Sequence, residues 1–489
     1  MPSQTASSLA NDFDGADRTL LTRERCLQIL AWVGIAILIL RIVLMLAAPL
    51  ADTTEARYGE IARLTLSDGF WLMPHIDPNT PFFAKPPLST WVASASMYVF
   101  GISEFAARLP SLLLSALTVL VAMAFAAELK LEKRWLVFPV LAAAPLFMIC
   151  AGAVMTDAVQ ACVVSAALYF AWRTFASADD AAAQRWRLAF WAMIGLGALC
   201  KGLANWALIG LPLVLYAVLE RRTWALARRL LDWRGILLAC LIFVPWYMVA
   251  ERYYPGFLDY FIVGEHFKRF LVPGWKGDRY GNAHREALGM IWAFWAVAIL
   301  PWLPYFVQDA IRVVRSRAAA LAPLEKFLWC ATLAPLIFFT FAHNIIWTYG
   351  LTPLVPFAVL VAQRLEKGST QSLRIATVAL LSMTVAMAAL LPLFLRNISG
   401  NSDRDLVAAF VRTAPADAPL TYLFKPTYSA HFYAGDRLAY AEHTALSDIA
   451  PAATPRFFVV ETQQADTALP SHMRVLFHGP RHSLLETLP

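Results

Sequence analysis

The chain has 489 residues, of which 59% are hydrophobic and 15% are charged. A soluble domain carries about 25% charged residues, so this composition excludes a chain whose main solvent is water. The 41 Lys and Arg residues exceed the 34 Asp and Glu residues, but they form short clusters between long apolar runs, which excludes a nucleic-acid-binding patch.

Residues 1–26 are predicted to form a cytoplasmic tail ahead of the first membrane span. Residues 27–395 then contain eleven apolar segments, ten of them about 16 to 22 residues long, a length that crosses a bilayer as a helix. The predicted spans lie near 27–48, 111–127, 136–151, 154–172, 188–200, 203–219, 235–250, 288–308, 324–341, 345–362 and 374–395. We therefore predict an all-α polytopic membrane protein with about 11 to 13 transmembrane helices.

Two connections between the spans, at 51–110 and 251–287, are long. Basic clusters occupy the alternate connections, so the positive-inside rule places the long loops on the outer side. Long loops are more often functional than decorative. In the first loop, Tyr58, Ile61 and Leu64 share one helical face, which predicts a helix on the outer membrane surface. A second helix is expected to open at 103–104, before Pro110.

Residues 396–489 are polar and are predicted to form a small α/β domain in the periplasm. Their short β-rich runs are separated by Pro, Gly and Asp. These runs are Leu420–Phe424, Arg437–Ala441, Arg456–Val460 and Met473–Phe477.

Carboxylates near the outer surface are candidates for catalysis. Asp52 and Glu55 are predicted at the N-terminal end of the first loop helix, with Arg57 beside them. An interfacial helix that simply exposes its charges to water is the alternative. Asp157 and Lys201 lie at the outer ends of two predicted spans, where ionisable side chains are costly and therefore indicate function.

Cations on the outer side indicate an anionic ligand. Lys85 lies in the stiff, proline-rich segment 81–89, where its ammonium suits a lipid phosphate, although a snorkelling lysine is the alternative. Glu265, His266 and Arg269 begin a second cationic stretch that runs against the positive-inside trend. Such a stretch indicates a bound anion or a belt of lipid headgroups.

Seven motifs occur in order along the chain, and the resemblance that they carry extends from Leu50 to the last span. They are Asp52–Arg63, Phe83–Ser89, Phe105–Ser111, Thr156–Ala158, Lys201–Gly202, Glu265–Phe270 and Leu300–Trp302. As an ordered set they resemble the bacterial membrane glycosyltransferases of the GT-C superfamily that are related to lipid A aminoarabinose transferase. The resemblance to protein O-mannosyltransferases is more distant.

This resemblance implies a GT-C fold and a polyprenyl-phosphate-linked sugar as donor. The acceptor would be a lipid of the lipid A or lipopolysaccharide type, or another envelope glycan, at the periplasmic face of the inner membrane. Matched by motif, Lys85, Lys201 and Arg269 would contact the donor phosphate. The segment of Asp52 and Glu55, together with Asp157, would supply the acidic groups.

The chain departs from the family pattern at two of these motifs. Thr54 precedes Glu55 where the family commonly has adjacent Asp and Glu, and Ala84 precedes Lys85 where an acidic residue is common. The carboxylate that acts as base therefore stays open. The histidines lack ligand spacing, so no dedicated metal cage is expected, and the use of a divalent metal ion stays open.

The expected chemistry is a single displacement with inversion at the sugar. Cations such as Arg57 would stabilise the departing polyprenyl phosphate, and a carboxylate would take the acceptor proton, with Asp52 as first choice and Glu55 as second. The rest of the pocket is predicted to comprise Tyr58, Glu265, His266 and Tyr349. A transporter or flippase of lipid-linked or anionic solutes is the alternative function. Membrane lipids are expected partners.

Overall fold

The computed structural model describes a helical bundle followed by a small sheet. The described residues are 21–281, 284–315, 321–441, 445–467 and 469–488. The helices of the bundle and its outer loops are, in chain order, α1 (Arg23–Ala47), α2 (Thr54–Ser67), α3 (Leu88–Phe100), α4 (Glu104–Glu128), α5 (Val137–Ala142), α6 (Pro145–Cys150), α7 (Thr156–Ala176), α8 (Asp180–Lys201), α9 (Leu203–Leu219), α10 (Thr223–Leu230), α11 (Trp233–Tyr253), α12 (Met290–Ala298), α13 (Leu303–Arg315), α14 (Pro323–Thr340), α15 (Leu351–Lys367) and α16 (Thr370–Gly400).

The protein is a multi-pass membrane protein, and each of the eleven predicted segments falls on one or two of these helices. Among the described residues, α1, α4, α7, α11 and α16 are long and apolar enough to cross a membrane by themselves. The chain from α12 to α13 adds a sixth candidate span, bent by 91°, if the two helices are counted together. The other predicted spans coincide with shorter or less apolar helices.

Prolines explain where predicted spans are broken. The segment predicted at 136–151 divides into α5 and α6 because Pro145 begins α6 and holds Ala144 in an extended conformation. Pro301 lies in the short 3₁₀ turn between α12 and α13. Pro110 acts differently, because α4 begins after the Ser103 cap and continues through Pro110 into the span. The predicted opening of a helix at 103–104 is therefore confirmed, whereas its confinement to the loop before Pro110 is wrong.

The first long outer loop forms a small layer of its own. It contains α2, the hairpin of β1 (His75–Asp77) and β2 (Thr80–Pro81), and α3. The Ser94 hydroxyl of α3 donates to the Ala62 carbonyl of α2 at 2.8 Å, which joins the two helices. The second outer loop contains a π-helical segment, Asp259–Lys268. Its aromatic side chains pack with Phe83 of the first loop in one buried cluster.

The C-terminal region is a five-stranded sheet with three helices. Its elements are α17 (Arg404–Thr413), β3 (Leu420–Tyr422), α18 (Tyr428–Ala434), β4 (Leu438–Tyr440), β5 (Phe457–Glu461), α19 (Thr462–Thr467), β6 (Met473–His478) and β7 (His482–Thr487). The strand order is β4-β3-β5-β7-β6, and β3 is parallel to both of its neighbours. The four predicted strands are present. The last strand was not predicted, and α16 extends five residues beyond the predicted boundary, to Gly400.

Candidate active site

Glu55 joins three elements at one end of the bundle. Arg108 of α4 donates to both of its carboxylate oxygens, at 2.8 and 2.7 Å. The same guanidinium donates to backbone carbonyls within residues 45–49, at the end of α1. The Val154 amide also donates to Glu55 Oε1, at 3.2 Å. The charge of Arg108 therefore balances that of the Glu55 carboxylate, and these hydrogen bonds hold the carboxylate in one geometry.

Asp52 contacts the C-terminal region instead. The Ser429 amide donates to Asp52 Oδ1 at 3.1 Å, and the Ser429 hydroxyl donates to Oδ2. The Asp52 amide donates to the Asn401 carbonyl at 2.8 Å. Burial raises the pKa of Asp52 above its ordinary value, although the hydrogen bonds from Ser429 lower it.

Arg57 lies between the two long outer loops. Its Nη1 donates to the Tyr280 carbonyl at 2.9 Å, and its guanidinium lies 5.5 Å from the centre of the Tyr58 ring. The Tyr280 hydroxyl donates to the Pro81 carbonyl at 2.7 Å and accepts from the Phe83 amide at 2.9 Å. Tyr280 therefore fixes the backbone that leads to Lys85.

Glu265 is a buried carboxylate shared by two predicted phosphate ligands. Lys85 Nζ lies 3.2 Å from Glu265 Oε2, and Arg269 Nη1 lies 2.9 Å from the same oxygen. The Glu265 side chain is 3% exposed, whereas those of Lys85 and Arg269 are 24% and 25% exposed. Asp278 holds the other end of the Arg269 guanidinium at 3.3 Å. The two cations are thus oriented from the protein side and open toward solvent.

The electrostatics of this cluster follow from its geometry. Burial raises the pKa of Glu265, but Lys85 and Arg269 outweigh burial and leave the pKa below its ordinary value. Burial lowers the pKa of Arg269, but Glu265 and Asp278 raise it above its ordinary value. Glu265 and Arg269 are consequently both charged at neutral pH.

Asp157 and Lys201 form a second buried ion pair, with an Nζ to Oδ1 distance of 3.0 Å. Lys201 also donates to Gln160 Oε1 at 2.8 Å and lies 5.9 Å from the centre of the Tyr349 ring. His266 Nε2 lies 3.0 Å from the Lys201 carbonyl. Since His266 follows Glu265 in sequence, the two ion-paired clusters are adjacent.

The second ring nitrogen of His266 is also engaged, because Nδ1 lies 2.7 Å from the Phe261 carbonyl. Burial lowers the pKa of His266, although the two carbonyls raise it.

Among the described residues, no group of three or more His, Cys, Asp or Glu side chains is arranged to hold a metal ion.

Seven of the eleven predicted site residues lie in the two adjacent clusters around Glu265 and Asp157, namely Lys85, Glu265, His266, Arg269, Asp157, Lys201 and Tyr349. The other four make separate contacts: Glu55 binds Arg108, Arg57 lies beside Tyr58, and Asp52 contacts Ser429. The sequence analysis missed Arg108, Asp278 and Tyr280 as contributors. Arg108 lies in the motif Phe105–Ser111, so the resemblance carried a signal for it. Asp278 and Tyr280 lie in an irregular part of the second outer loop, where no periodicity marks a residue.

The chain is a helical membrane bundle in which cations and carboxylates gather at one end of the helices, and it has the fold of the membrane protein ArnT. The family model for dolichyl-phosphate-mannose-protein mannosyltransferases matches residues 25–261. ArnT from Cupriavidus metallidurans, whose crystal structure was solved bound to undecaprenyl phosphate, superimposes with a TM-score of 0.76 at 20% identity, over 93% of this chain and 97% of that one. The apo structure of the same protein gives a TM-score of 0.72 over the same shares.

Two curated relatives carry the same description. Undecaprenyl phosphate-alpha-4-amino-4-deoxy-L-arabinose arabinosyl transferase from Pseudomonas aeruginosa is 30% identical over 65% of this chain and 57% of its own length. The enzyme of the same description from Erwinia tasmaniensis is 27% identical over 70% of this chain and 60% of its own length. The chain therefore spans less than two thirds of these relatives. The resemblance inferred from the motifs is confirmed, and the chain is related to these arabinosyl transferases.

Proposed function

We propose that the protein is an inverting glycosyltransferase that moves a sugar from a polyprenyl-phosphate donor to a lipid acceptor at the periplasmic face of the inner membrane. The observation that carries the proposal is the pair of partly exposed cations, Lys85 and Arg269, oriented by the buried carboxylate of Glu265. Positioned cations are what a phosphate leaving group requires. The similarity to arabinosyl transferases supports the same reaction class.

In the proposed step, an acceptor oxygen attacks the anomeric carbon while the bond from that carbon to the phosphate oxygen breaks. The electron pair leaves with the polyprenyl phosphate, whose charge Lys85, Arg269, Lys201 and Arg57 stabilise. The proton of the acceptor passes to a carboxylate. One displacement inverts the configuration of the sugar, and no covalent enzyme intermediate is needed.

We propose Asp157 as the base, in place of Asp52 and Glu55. Both oxygens of Asp52 accept from Ser429, and both oxygens of Glu55 accept from Arg108. The hydrogen bonds among the described residues engage Asp157 only at Oδ1, which leaves Oδ2 for the acceptor. Asp52 and Glu55 are then positioning residues for the start of α2.

The relatives name the first donor to test, which is undecaprenyl phosphate-linked 4-amino-4-deoxy-L-arabinose. We further propose an acceptor of the lipid A type. Purified protein in detergent should convert donor and lipid A into glycosylated lipid A and an equal amount of undecaprenyl phosphate. Reconstituted vesicles that move the intact donor across the bilayer without cleaving it would instead identify a transporter. Absence of both activities with a panel of polyprenyl-phosphate sugars would refute the proposal.

A further inference from the structure

We propose that Arg279 is a further phosphate-binding residue of the site, one that supplies positive charge which the ion-paired cations do not. The inference rests on the proposed function, because it assigns Arg279 to the polyprenyl phosphate that leaves in that reaction. Arg279 lies between Asp278 and Tyr280 in the second outer loop, and its side chain is exposed.

The backbone of Arg279 is part of the cluster around Glu265. The Arg279 amide donates to the Tyr260 hydroxyl at 3.2 Å, and that hydroxyl donates to Glu265 Oε1 at 3.1 Å. On either side of Arg279, Asp278 and Tyr280 hold other cationic side chains of the site. The loop therefore places Arg279 one hydroxyl group away from the carboxylate that orients the predicted phosphate ligands.

The Arg279 guanidinium lies over a buried aromatic surface. Its central carbon is 4.9 Å from the centre of the Tyr260 ring and 5.7 Å from the centre of the Phe83 ring. Each of these aromatic residues is 6% exposed, and Phe83 precedes Lys85 by two positions. A guanidinium that rests on aromatic rings keeps the N–H donors along its edge for an anion. Because Arg279 is exposed, a ligand can reach these donors.

The ion-paired side chains of the site bring no net charge to it. The pairs contain three cations and three carboxylates, which are Lys85, Lys201 and Arg269, and Asp157, Glu265 and Asp278. Their formal charges cancel. These pairs therefore orient the cations but leave no excess of positive charge for a ligand.

Unpaired cations supply that excess. Arg57 donates to a backbone carbonyl and Arg279 contacts aromatic rings, and neither has a carboxylate partner among the described residues. A polyprenyl phosphate that leaves as a monoester carries about 1.5 to 2 negative charges at neutral pH, more than the diester from which it forms. Negative charge thus grows at the site during the reaction, and Arg279 together with Arg57 balances it.

The first experiment measures the affinity for undecaprenyl phosphate alone. Arg279→Gln should weaken this affinity about tenfold, because a charge-assisted contact with the phosphate is lost. Arg279→Lys should lose less, since the charge remains. Lys276→Gln is the matched control, because it removes one exposed positive charge from the same loop, and it should bind undecaprenyl phosphate like the wild type.

A second experiment separates the two substrates that can bring a phosphate to Arg279. The KM for lipid A is compared with the KM for lipid A from which the phosphates have been removed. Arg279→Gln should leave the ratio of these two KM values unchanged, because Arg279 is assigned to the donor. A variant that keeps its affinity for undecaprenyl phosphate and loses the preference for phosphorylated lipid A would overturn the assignment to the leaving group.

The remaining outcomes separate this inference from the proposed function. Wild-type affinity for undecaprenyl phosphate in Arg279→Gln, measured beside a Lys85→Ala variant that has lost affinity, would overturn the inference alone. An equal loss of affinity in Lys276→Gln and Arg279→Gln would do the same. A wild-type protein that does not bind undecaprenyl phosphate would overturn the proposed function, and this inference with it.

Discussion

At the scale of single residues, Lys85 is the most direct test of leaving-group stabilisation. Its ammonium is paired with Glu265, and its side chain is 24% exposed. Lys85→Ala should lower turnover by roughly 100-fold, which corresponds to about 3 kcal/mol of transition-state stabilisation, and Lys85→Arg should lose less because the charge remains. Lys268→Ala removes a neighbouring exposed cation and should leave turnover unchanged. Equal rates for Lys85→Ala and the wild type would exclude the role.

The three carboxylates can be ranked by the same assay. Asp157→Asn should reduce turnover by at least about 100-fold, whereas Asp52→Asn and Glu55→Gln should act mainly through the geometry of α2. Asp157→Asn also leaves Lys201 buried without its counter-charge, which destabilises the fold. The double change Asp157→Asn with Lys201→Gln should recover thermal stability but not turnover. A normal rate in Asp157→Asn combined with an inactive Asp52→Asn would return the role of base to Asp52.

At the scale of secondary-structure elements, Arg108 connects the end of α1, the start of α2 and the body of α4. Its guanidinium donates to Glu55 and to three backbone carbonyls within residues 45–49, at the end of α1 and just after it. The Arg108 side chain is 4% exposed. Arg108→Gln leaves the Glu55 carboxylate without its counter-charge and should destabilise the protein by about 3 kcal/mol. The check is the midpoint of thermal unfolding in detergent. Arg474→Gln breaks an ion pair whose arginine is 60% exposed, and should cost less than about 1 kcal/mol. Similar shifts in both variants would contradict this assignment.

The elements also show how far the sequence could be interpreted. Every span predicted from a long apolar run lies on one or two helices, because a helix that crosses lipid must consist mostly of apolar residues. Strand β7 escaped prediction because all six of its residues are buried, including His482 and Glu486, so the strand lacks alternation of polar and apolar residues. The pairing of Asp52 with Ser429 links positions 377 residues apart. No local pattern encodes such a contact.

At the scale of the whole molecule, a buried polar network joins the C-terminal sheet to the first outer loop. Asp403 accepts from His482 at 2.7 Å, from Thr427 at 2.6 Å and from Tyr422 at 3.1 Å. The Asp403 amide donates to the hydroxyl of Ser429, which also binds Asp52. The charge on Asp403 therefore supports the segment through which the C-terminal domain contacts α2.

Acid should release this network. Burial raises the pKa of Asp403, but the bonds from His482, Thr427 and Tyr422 outweigh burial and lower the pKa below its ordinary value. A carboxyl whose pKa is lower in the folded state contributes stability that is present above its unfolded pKa, about 3.9, and is lost as the pH falls through the folded pKa. Asp403→Asn should therefore destabilise the protein by about 2 kcal/mol at neutral pH.

The measurement is the thermal midpoint of wild type and variant between neutral pH and pH about 2, a range that includes the ordinary carboxyl pKa. The difference in thermal midpoint between the wild type and Asp403→Asn should stay constant down to the ordinary pKa of aspartate and should then shrink to zero. The reason is that protonation removes the charge of Asp403 from the wild type, and the substitution has already removed that charge from the variant. Asp405→Asn changes an exposed carboxylate of the same region, whose side chain is 57% exposed, and its gap to the wild type should be small throughout. Asp52 makes the opposite contribution to the pH dependence of stability. Its pKa is raised in the folded state, so its protonation favours folding. A gap for Asp403→Asn that widens as the pH falls would show that the buried charge opposes folding, and that the C-terminal domain contacts α2 without it.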